Sequence, residues 1–162
     1  MMHKAIMVMG VSGAGKSTIA AALADDMGGR YLDGDDYHPP SNVAHMAAGN
    51  PLTDDMRWPW LDILAQAVNA ARQEQIIVFA CSALKQGYRD YLTNAVPDLK
   101  LAYLDAPYDV VAARLAQREN HYMPTSLLDS QFAALEPPAS PDAQASIDQP
   151  IADIVRALAL SL

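Results

Sequence analysis

The sequence predicts an α/β fold with a parallel sheet, because short apolar runs alternate along the chain with stretches of helical periodicity. The runs AIMVMG (5–10) and IIVFAC (76–81) are apolar without alternation, as expected for strands that helices cover on both faces. Between and after these runs, apolar residues recur at the spacing of a helix that packs on a sheet. We therefore expect one domain over residues 1–162.

The other elements follow in order along the chain. Ile19 and Leu23 lie at helical spacing after the first strand, and Gly28-Gly29 is expected to end that helix. The remaining predicted strands are 31–33, 101–104 and a weak one at 146–148. The remaining predicted helices are 41–49, 54–72, 85–95, 107–119 and one from Pro150 onward.

The composition argues against several classes of protein. A net charge of −8 and a pI of about 4.7 disfavour nucleic-acid binding through a general basic surface. No apolar run approaches the roughly 20 residues that span a bilayer, so no membrane partner is expected. The single cysteine, Cys81, fits a reducing cytoplasm and is expected to be a buried apolar side chain rather than a nucleophile.

The segment GVSGAGKS (10–17) matches the phosphate-loop pattern G-x-x-x-x-G-K-[ST], and it lies between a predicted strand and a predicted helix. Its glycines let successive backbone N–H groups point at phosphate oxygens, and the helix N-terminus adds partial positive charge. Lys16 is predicted to contact the β- and γ-phosphates, and the Ser17 hydroxyl to bind Mg²⁺. The predicted nucleoside triphosphate site consists of Gly10, Val11, Ser12, Gly13, Ala14, Gly15, Lys16, Ser17 and Thr18.

A second polar segment, YLDGDDYHPPSN (31–42), follows the second predicted strand. Because ligands bind at the carboxyl ends of parallel strands, Asp33 and Asp35 are expected beside the phosphate loop. Alternate residues of an extended chain share a face, so these two carboxylates can act together. One can hold the Mg²⁺ shell while the other accepts a hydrogen bond from an attacking hydroxyl. The guanine-reading N-K-x-D of switch domains does not occur in the sequence, which favours a small-molecule kinase.

Five blocks of the sequence carry a family resemblance. They are GVSGAGKST, LDGDDYHPPSN, HMAAGNPLTDDMRWPWL, CSALKQGYRDYL and HYMPTSLLDSQFAALEPP, and together they resemble the bacterial-type gluconokinases from about residue 5 to residue 150. Members of that family transfer the γ-phosphoryl group of ATP to D-gluconate. The resemblance implies a three-layer P-loop kinase fold like that of nucleoside-monophosphate kinases, with a five-stranded parallel sheet, a lid near 119–126 and often a homodimer. It implies ATP and Mg²⁺ as cofactors.

The same resemblance implies roles for individual residues. Asp33 takes the position of the family's magnesium-side aspartate, and Asp35 that of the residue that contacts the sugar-acid hydroxyl. The implied substrate contacts are Asp35, His38, Asn42, Arg57, Lys85, Arg89 and His121. The implied nucleotide contacts beyond the phosphate loop are Arg114, Arg118, Gln149 and Pro150. Catalysis is assigned to Lys16, Asp33, Asp35 and Arg118, and metal binding to Ser17 and Asp33.

The predicted site would concentrate positive charge in an acidic protein. Of the eleven Lys and Arg residues, the motifs contain Lys16, Arg57, Lys85, Arg89, Arg114 and Arg118. Lys85 and Arg89 are one helical turn apart after a strand end, so both are expected to face the crevice. Such a cluster would let an acidic protein bind two anionic ligands.

Two other functions remain compatible with the sequence. A related sugar-acid kinase, a shikimate-type kinase or an adenylylsulfate kinase would share the fold and the phosphate loop. A nucleotide-binding regulator of the same fold is the second alternative. Its expected signature is the loss of Asp35 or of the lid arginines, and this chain keeps these residues.

Overall fold

The computed structural model describes residues 2–117 and 125–162, and its elements in those ranges alternate between strand and helix as predicted. The strands are β1 (Ala5–Met9), β2 (Arg30–Asp33), β3 (Ile77–Ala80), β4 (Lys100–Asp105) and β5 (Ala143–Ser146). The helices are α1 (Lys16–Asp26), α2 (Pro40–Ala47), α3 (Asp54–Ala71), α4 (Gln86–Ala95), α5 (Tyr108–Ala116), α6 (Thr125–Ala134) and α7 (Ile151–Ser161). A 3-10 turn covers Gly34–Tyr37. Within the described ranges, no helix has the length and apolar character needed to cross a bilayer.

The five strands form one parallel sheet in the order β2-β3-β1-β4-β5. The central strand is β1, where Ile6 pairs with Val78 of β3 on one side and with Lys100 of β4 on the other. The chain therefore moves outward from β1 to β2, returns through β3 and then crosses to the other half of the sheet. The carboxyl ends of β1, β2 and β3 lie side by side, which is where open α/β sheets bind ligands.

Helices cover both faces of the sheet, so the predicted three-layer, five-stranded parallel architecture is confirmed. Ile6 and Val8 belong to a core cluster with apolar residues of α1 and α7. Ala5 and Met7 point to the opposite face, where they pack with residues of α3 and α4. All five residues of β1 are buried as a result, which explains the continuous apolar run in its sequence.

The structure differs from the predicted elements mainly near the C-terminus. The last strand is 143–146 rather than 146–148, and its buried side chains are only the small Ala143 and Ala145. Ile147 belongs to the predicted strand but lies just after the observed one. It is fully buried and donates its N–H to Asp105 O at 3.0 Å. Helix α6 was not predicted. Leu128 of this helix is buried in the core, and Phe132 and Ala134 pack against it.

Candidate active site

The phosphate loop connects β1 to α1 at the carboxyl edge of the sheet. Gly13 and Gly15 have φ angles of 82° and 85°, a left-handed conformation that only glycine adopts readily. Gly15 is also the N-cap of α1, so the unpaired N–H groups of the first helical turn face the inside of the loop. The backbone has therefore the curled shape that phosphate binding requires.

A small polar cavity of about 110 Å³ lies inside this loop. Its lining consists of Ser12, Lys16, Ser17, Asp33, Asp35, Ala80, Cys81, Ser82 and Gln131. The cavity thus joins the phosphate loop, both predicted aspartates and the segment after β3. Pockets for whole small molecules typically have roughly 300–1,000 Å³, so this cavity matches the reacting groups rather than two complete substrates. A larger groove of about 820 Å³ between α1 and α7 contains none of the predicted site residues.

The two aspartates reach the cavity through a tight turn. Asp33 ends β2, and its Oδ1 accepts a hydrogen bond from Asp35 N at 3.0 Å, which caps the 3-10 turn. Gly34 between them has no room for a side chain, because a Cβ would lie 2.5 Å from Ala80 O. Trp60 fixes the same turn by donating from Nε1 to Gly34 O at 2.8 Å. We expected the two aspartates to lie together, and both line the cavity. The expected reason, alternation along an extended strand, is wrong, because Asp35 lies in the 3-10 turn after β2.

Charges in the cavity compensate one another in part. The Lys16 ammonium donates a hydrogen bond to Val11 O at 3.1 Å. Burial lowers the pKa of Lys16, and the negative charges of Asp35 and Asp33 partly oppose this effect. The polar contact with His38, whose Nε2 lies 3.7 Å from Oδ1, holds the pKa of the largely exposed Asp35 carboxylate below its ordinary value, although partial desolvation opposes this effect. Asp35 is therefore an ionised acceptor at neutral pH.

His38 and Asn42 support Asp35 from the protein interior. Asn42 is only 2% exposed, and its Nδ2 donates to Met56 O at 2.9 Å and lies 3.3 Å from His38 Nδ1. Because the amide nitrogen must face the Met56 carbonyl, Nδ1 of a neutral His38 is the acceptor, which leaves the ring proton on Nε2 towards Asp35. The imidazole also stacks on Trp60 at a centroid distance of 4.2 Å. Direct substrate contacts of His38 and Asn42 stay predictions.

Two predicted substrate-binding cations flank the ring of Tyr88. Arg57 Cζ lies 5.1 Å and Lys85 Nζ 5.9 Å from the ring centroid. Asp54 accepts a hydrogen bond from the Tyr88 hydroxyl and pairs with Lys85 at 3.8 Å. Arg57 donates from Nη2 to Leu52 O at 3.3 Å, whereas its buried Nε has no partner among the residues that the structure describes. This guanidinium N–H therefore lacks the hydrogen-bond partner that buried polar groups usually have.

Arg89 lies inside the protein rather than facing the crevice with its neighbouring lysine, and it is 2% exposed. Its guanidinium donates hydrogen bonds to Ala83 O (2.8 Å), Leu84 O (3.0 Å), Gln86 Oε1 (2.9 Å) and Glu136 O (2.6 Å). Glu136 also donates its backbone N–H to Leu84 O at 2.8 Å. Arg89 therefore ties the segment after α6 to the loop between β3 and α4, and its predicted contact with substrate stays a prediction.

We expect Arg89→Met to lower the free energy of unfolding by about 2–4 kcal/mol, because buried carbonyl oxygens lose a charged donor. Urea denaturation of the variant and of wild type measures this difference. Arg156→Met is the matched control, since Arg156 is exposed on α7 and should change stability little. A variant as stable as wild type that only binds its acid substrate more weakly would contradict this structural role.

The predicted contacts of the nucleotide base lie around the loop between β5 and α7. Arg114, in the last turn of α5, donates from Nη2 to Ile147 O at 2.8 Å. Gln149 donates from Nε2 to Ser146 O at 2.8 Å, and Pro150 is the N-cap of α7. The structure thus brings Arg114 to the predicted base-binding segment. The predictions that fall outside the described residues concern Arg118, His121 and positions 119–124 of the lid.

Cys81 lines the cavity as a neutral thiol. Burial raises its pKa to about 12, and the nearby Asp35 carboxylate adds to this effect while Lys16 and Arg57 oppose it. The thiolate needed for nucleophilic attack is therefore scarce at neutral pH. The expected buried, unreactive cysteine agrees with this environment.

Besides Ser82, the polar cavity residue that the sequence analysis missed is Gln131. Its Oε1 accepts hydrogen bonds from Ser12 N at 3.3 Å and from Ser12 Oγ at 3.1 Å. It lies on α6, far along the chain from the phosphate loop, and nothing in the sequence pattern links the two segments. The block that contains Gln131 contributes to the family resemblance, which was the one available signal.

The sheet order, the phosphate loop after β1 and the carboxylates after β2 define a P-loop kinase. A family model described as AAA domain matches residues 6–138. Probable gluconokinase of Mus musculus is 42% identical over 94% of both chains. Thermoresistant gluconokinase of Escherichia coli (strain K12) is 40% identical over 94% of this chain and 90% of its own. The chain belongs to the gluconokinase family.

The structural comparison agrees with the sequence comparison. The crystal structure of a gluconokinase from Sinorhizobium meliloti 1021 superposes with a TM-score of 0.87 at 42% identity. The match covers 99% of this chain and 92% of that chain. The likeness therefore includes the sheet, the phosphate loop and the elements that contribute the cavity residues.

Proposed function

We propose that this protein transfers the γ-phosphoryl group of ATP to the 6-hydroxyl of D-gluconate. The observation that supports this most directly is the one cavity in which Lys16 and Ser17 of the phosphate loop meet Asp33 and Asp35. The phosphate loop provides the donor half of a transfer site, and Asp35 provides an acceptor for a hydroxyl group. Relatives about 40% identical over nearly the whole chain favour gluconate over the shikimate-type and adenylylsulfate alternatives.

In the donor half of the site, the phosphates of ATP would add negative charge around Lys16 to that of Asp33 and Asp35. Among the residues that the structure describes, Lys16 donates its hydrogen bond to the neutral Val11 carbonyl, and burial lowers its pKa. Phosphate oxygens would replace this neutral acceptor with charged ones, which form stronger hydrogen bonds. Lys16 would then stabilise negative charge on the transferring group, while the backbone N–H groups hold the neighbouring phosphates.

Ser17 and Asp33 fit the requirements of Mg²⁺. Both line the cavity, and no group of three or more His, Cys, Asp or Glu side chains able to hold a metal occurs in residues 2–117 and 125–162. Few protein ligands suit Mg²⁺ in this class of site, because nucleotide phosphates and water supply the remaining oxygens. The bound ion would shield the phosphate charge from the incoming hydroxyl.

The acceptor half of the site matches a polyol with one carboxylate. The ionised Asp35 can accept a hydrogen bond from the 6-hydroxyl and orient it for in-line attack. Arg57, with its unpaired Nε, and Lys85 provide positive charge around Tyr88 for the gluconate carboxylate. Little proton removal is needed early in a loose transition state, so Asp35 acts mainly by positioning.

We also propose that residues 1–162 form one kinase domain and that the protein is a cytoplasmic homodimer. The cytoplasmic location is supported by the single buried cysteine, which has no intramolecular partner in the sequence. The single domain is supported by one sheet whose strands extend from Ala5 to Ser146. Sedimentation equilibrium would test the dimer, and a monomeric mass would contradict it.

ATP turnover against a panel of acids tests the substrate. We expect D-gluconate to stimulate ADP formation in a coupled assay, and shikimate and adenylylsulfate to leave it at the basal rate. The Lys16→Ala protein, purified in the same way, shows how much activity comes from contaminating kinases. Stimulation by another acid but not by gluconate would contradict the proposal.

A further inference from the structure

Gln131 connects a helix from late in the chain to the phosphate loop. Among the cavity-lining residues that the structure describes, it alone comes from beyond the segment that follows β3. Its Oε1 accepts from both the backbone N–H and the hydroxyl of Ser12. Such a loop N–H is the kind of donor that a phosphate-binding loop presents to its ligand.

The contacts with Ser12 determine which way the Gln131 amide faces. The backbone N–H of Ser12 can only donate, so the side-chain oxygen of Gln131 must face it. The side-chain nitrogen therefore occupies the other position of the amide group. The amide nitrogen is thus the remaining polar atom of a side chain that lines the cavity with Lys16 and Asp35. It is a neutral donor, whereas Lys16 is a charged one.

The helix that carries Gln131 is held on both sides of this residue. Near its middle, Tyr108 donates to Asp129 Oδ1 at 2.6 Å, and the rings of Tyr108 and Phe132 lie 5.2 Å apart. After its end, Arg89 holds the Glu136 carbonyl. Gln131 therefore lies on an anchored element, so its amide is positioned before a ligand arrives.

We propose that Gln131 distinguishes a nucleoside triphosphate from a diphosphate by donating a hydrogen bond from Nε2 to the γ-phosphoryl group. Ser12 holds the amide oxygen and thereby orients the nitrogen. This inference rests on the proposed use of ATP, and it adds a neutral γ-phosphate donor to the charged one predicted for Lys16.

Nucleotide binding without any acid substrate tests this role. Calorimetric titration gives Kd for a non-hydrolysable ATP analogue and for ADP with wild type, Gln131→Ala and Gln131→Glu. We expect Gln131→Ala to bind the analogue about tenfold more weakly with little change for ADP, because one hydrogen bond to a charged group is lost. Gln131→Glu keeps an oxygen for Ser12 but replaces the donor with a negative charge, so we expect a larger loss, about 100-fold.

The outcomes separate this role from a structural one. Gln144→Glu is the matched control, since Gln144 is exposed on β5 and the same charge change there should leave both Kd values unchanged. Gln131→Glu with the wild-type Kd for the analogue would overturn the proposal, as would equal losses for analogue and ADP or tighter binding by Gln131→Ala. A wild-type protein that binds neither nucleotide would overturn the proposed function as well, whereas failure of gluconate alone as substrate would leave this inference intact.

Discussion

Replacement of Lys16 by alanine is expected to abolish phosphoryl transfer, with kcat lower by roughly 10³-fold or more. Lys16 lines the cavity that also contains Asp33 and Asp35, and its ammonium is the positive charge of the phosphate loop itself. Its bond to Val11 O shows that the charged end is already inside the loop. Because burial lowers the pKa of this lysine, alanine should not reduce the stability of the fold.

Single-turnover measurements with excess enzyme test this effect on the chemical step. Lys100→Ala is the matched control, because Lys100 lies at the start of β4, at the opposite end of the parallel strands from the cavity. The thermal melting temperature of both variants shows whether they are folded. A folded Lys16→Ala enzyme within tenfold of the wild-type rate would contradict the role of this residue.

Replacement of Asp35 by asparagine is expected to lower kcat about a hundredfold while KM for ATP changes little. The substitution keeps the shape of the side chain but removes the charge that faces His38 and Lys16. An amide positions the attacking hydroxyl poorly, because one of its two polar ends is a donor. The effect should therefore appear in turnover and in KM for gluconate rather than in nucleotide affinity.

Steady-state kinetics with each substrate varied in turn separate these effects. Asp36→Asn is the matched control, since Asp36 is exposed in the same 3-10 turn and does not line the cavity. Because the pKa of Asp35 is lowered, its ionised form persists to a lower pH than that of an ordinary aspartate, and the activity that depends on it should persist to the same extent as the pH falls. Normal turnover by Asp35→Asn would refute the positioning role.

The fold could be predicted where the spacing of apolar residues along a segment follows directly from how that segment is buried. β1 is buried on both faces, so its apolar run is unbroken, and the phosphate loop requires glycines at positive φ directly after it. The last strand was misplaced because it is short and two of its four residues are alanines, which weakens the alternation. Helix α6 was missed, although Leu128 and Phe132 of this helix pack in the core.

The parts of the site that could not be predicted depend on contacts between distant segments. Sequence spacing suggests that Arg89 faces the crevice, but its bonds to Leu84 and Glu136 draw it inward. Gln131 reaches Ser12 only because α6 packs near the phosphate loop. Glu136 is 47 residues from Arg89, and Ser12 is 119 residues from Gln131, so no local motif indicates these two pairings.

The most direct test of the proposed reaction is the identity of its product. The wild-type enzyme is incubated with ATP, Mg²⁺ and D-gluconate, and the product is examined by phosphorus NMR with proton coupling. We predict one phosphomonoester whose phosphorus couples to the two methylene protons at C6 of gluconate. Coupling to a single methine proton, an acyl phosphate signal, or ADP formation without any phosphorylated gluconate would contradict the proposed transfer to the 6-hydroxyl.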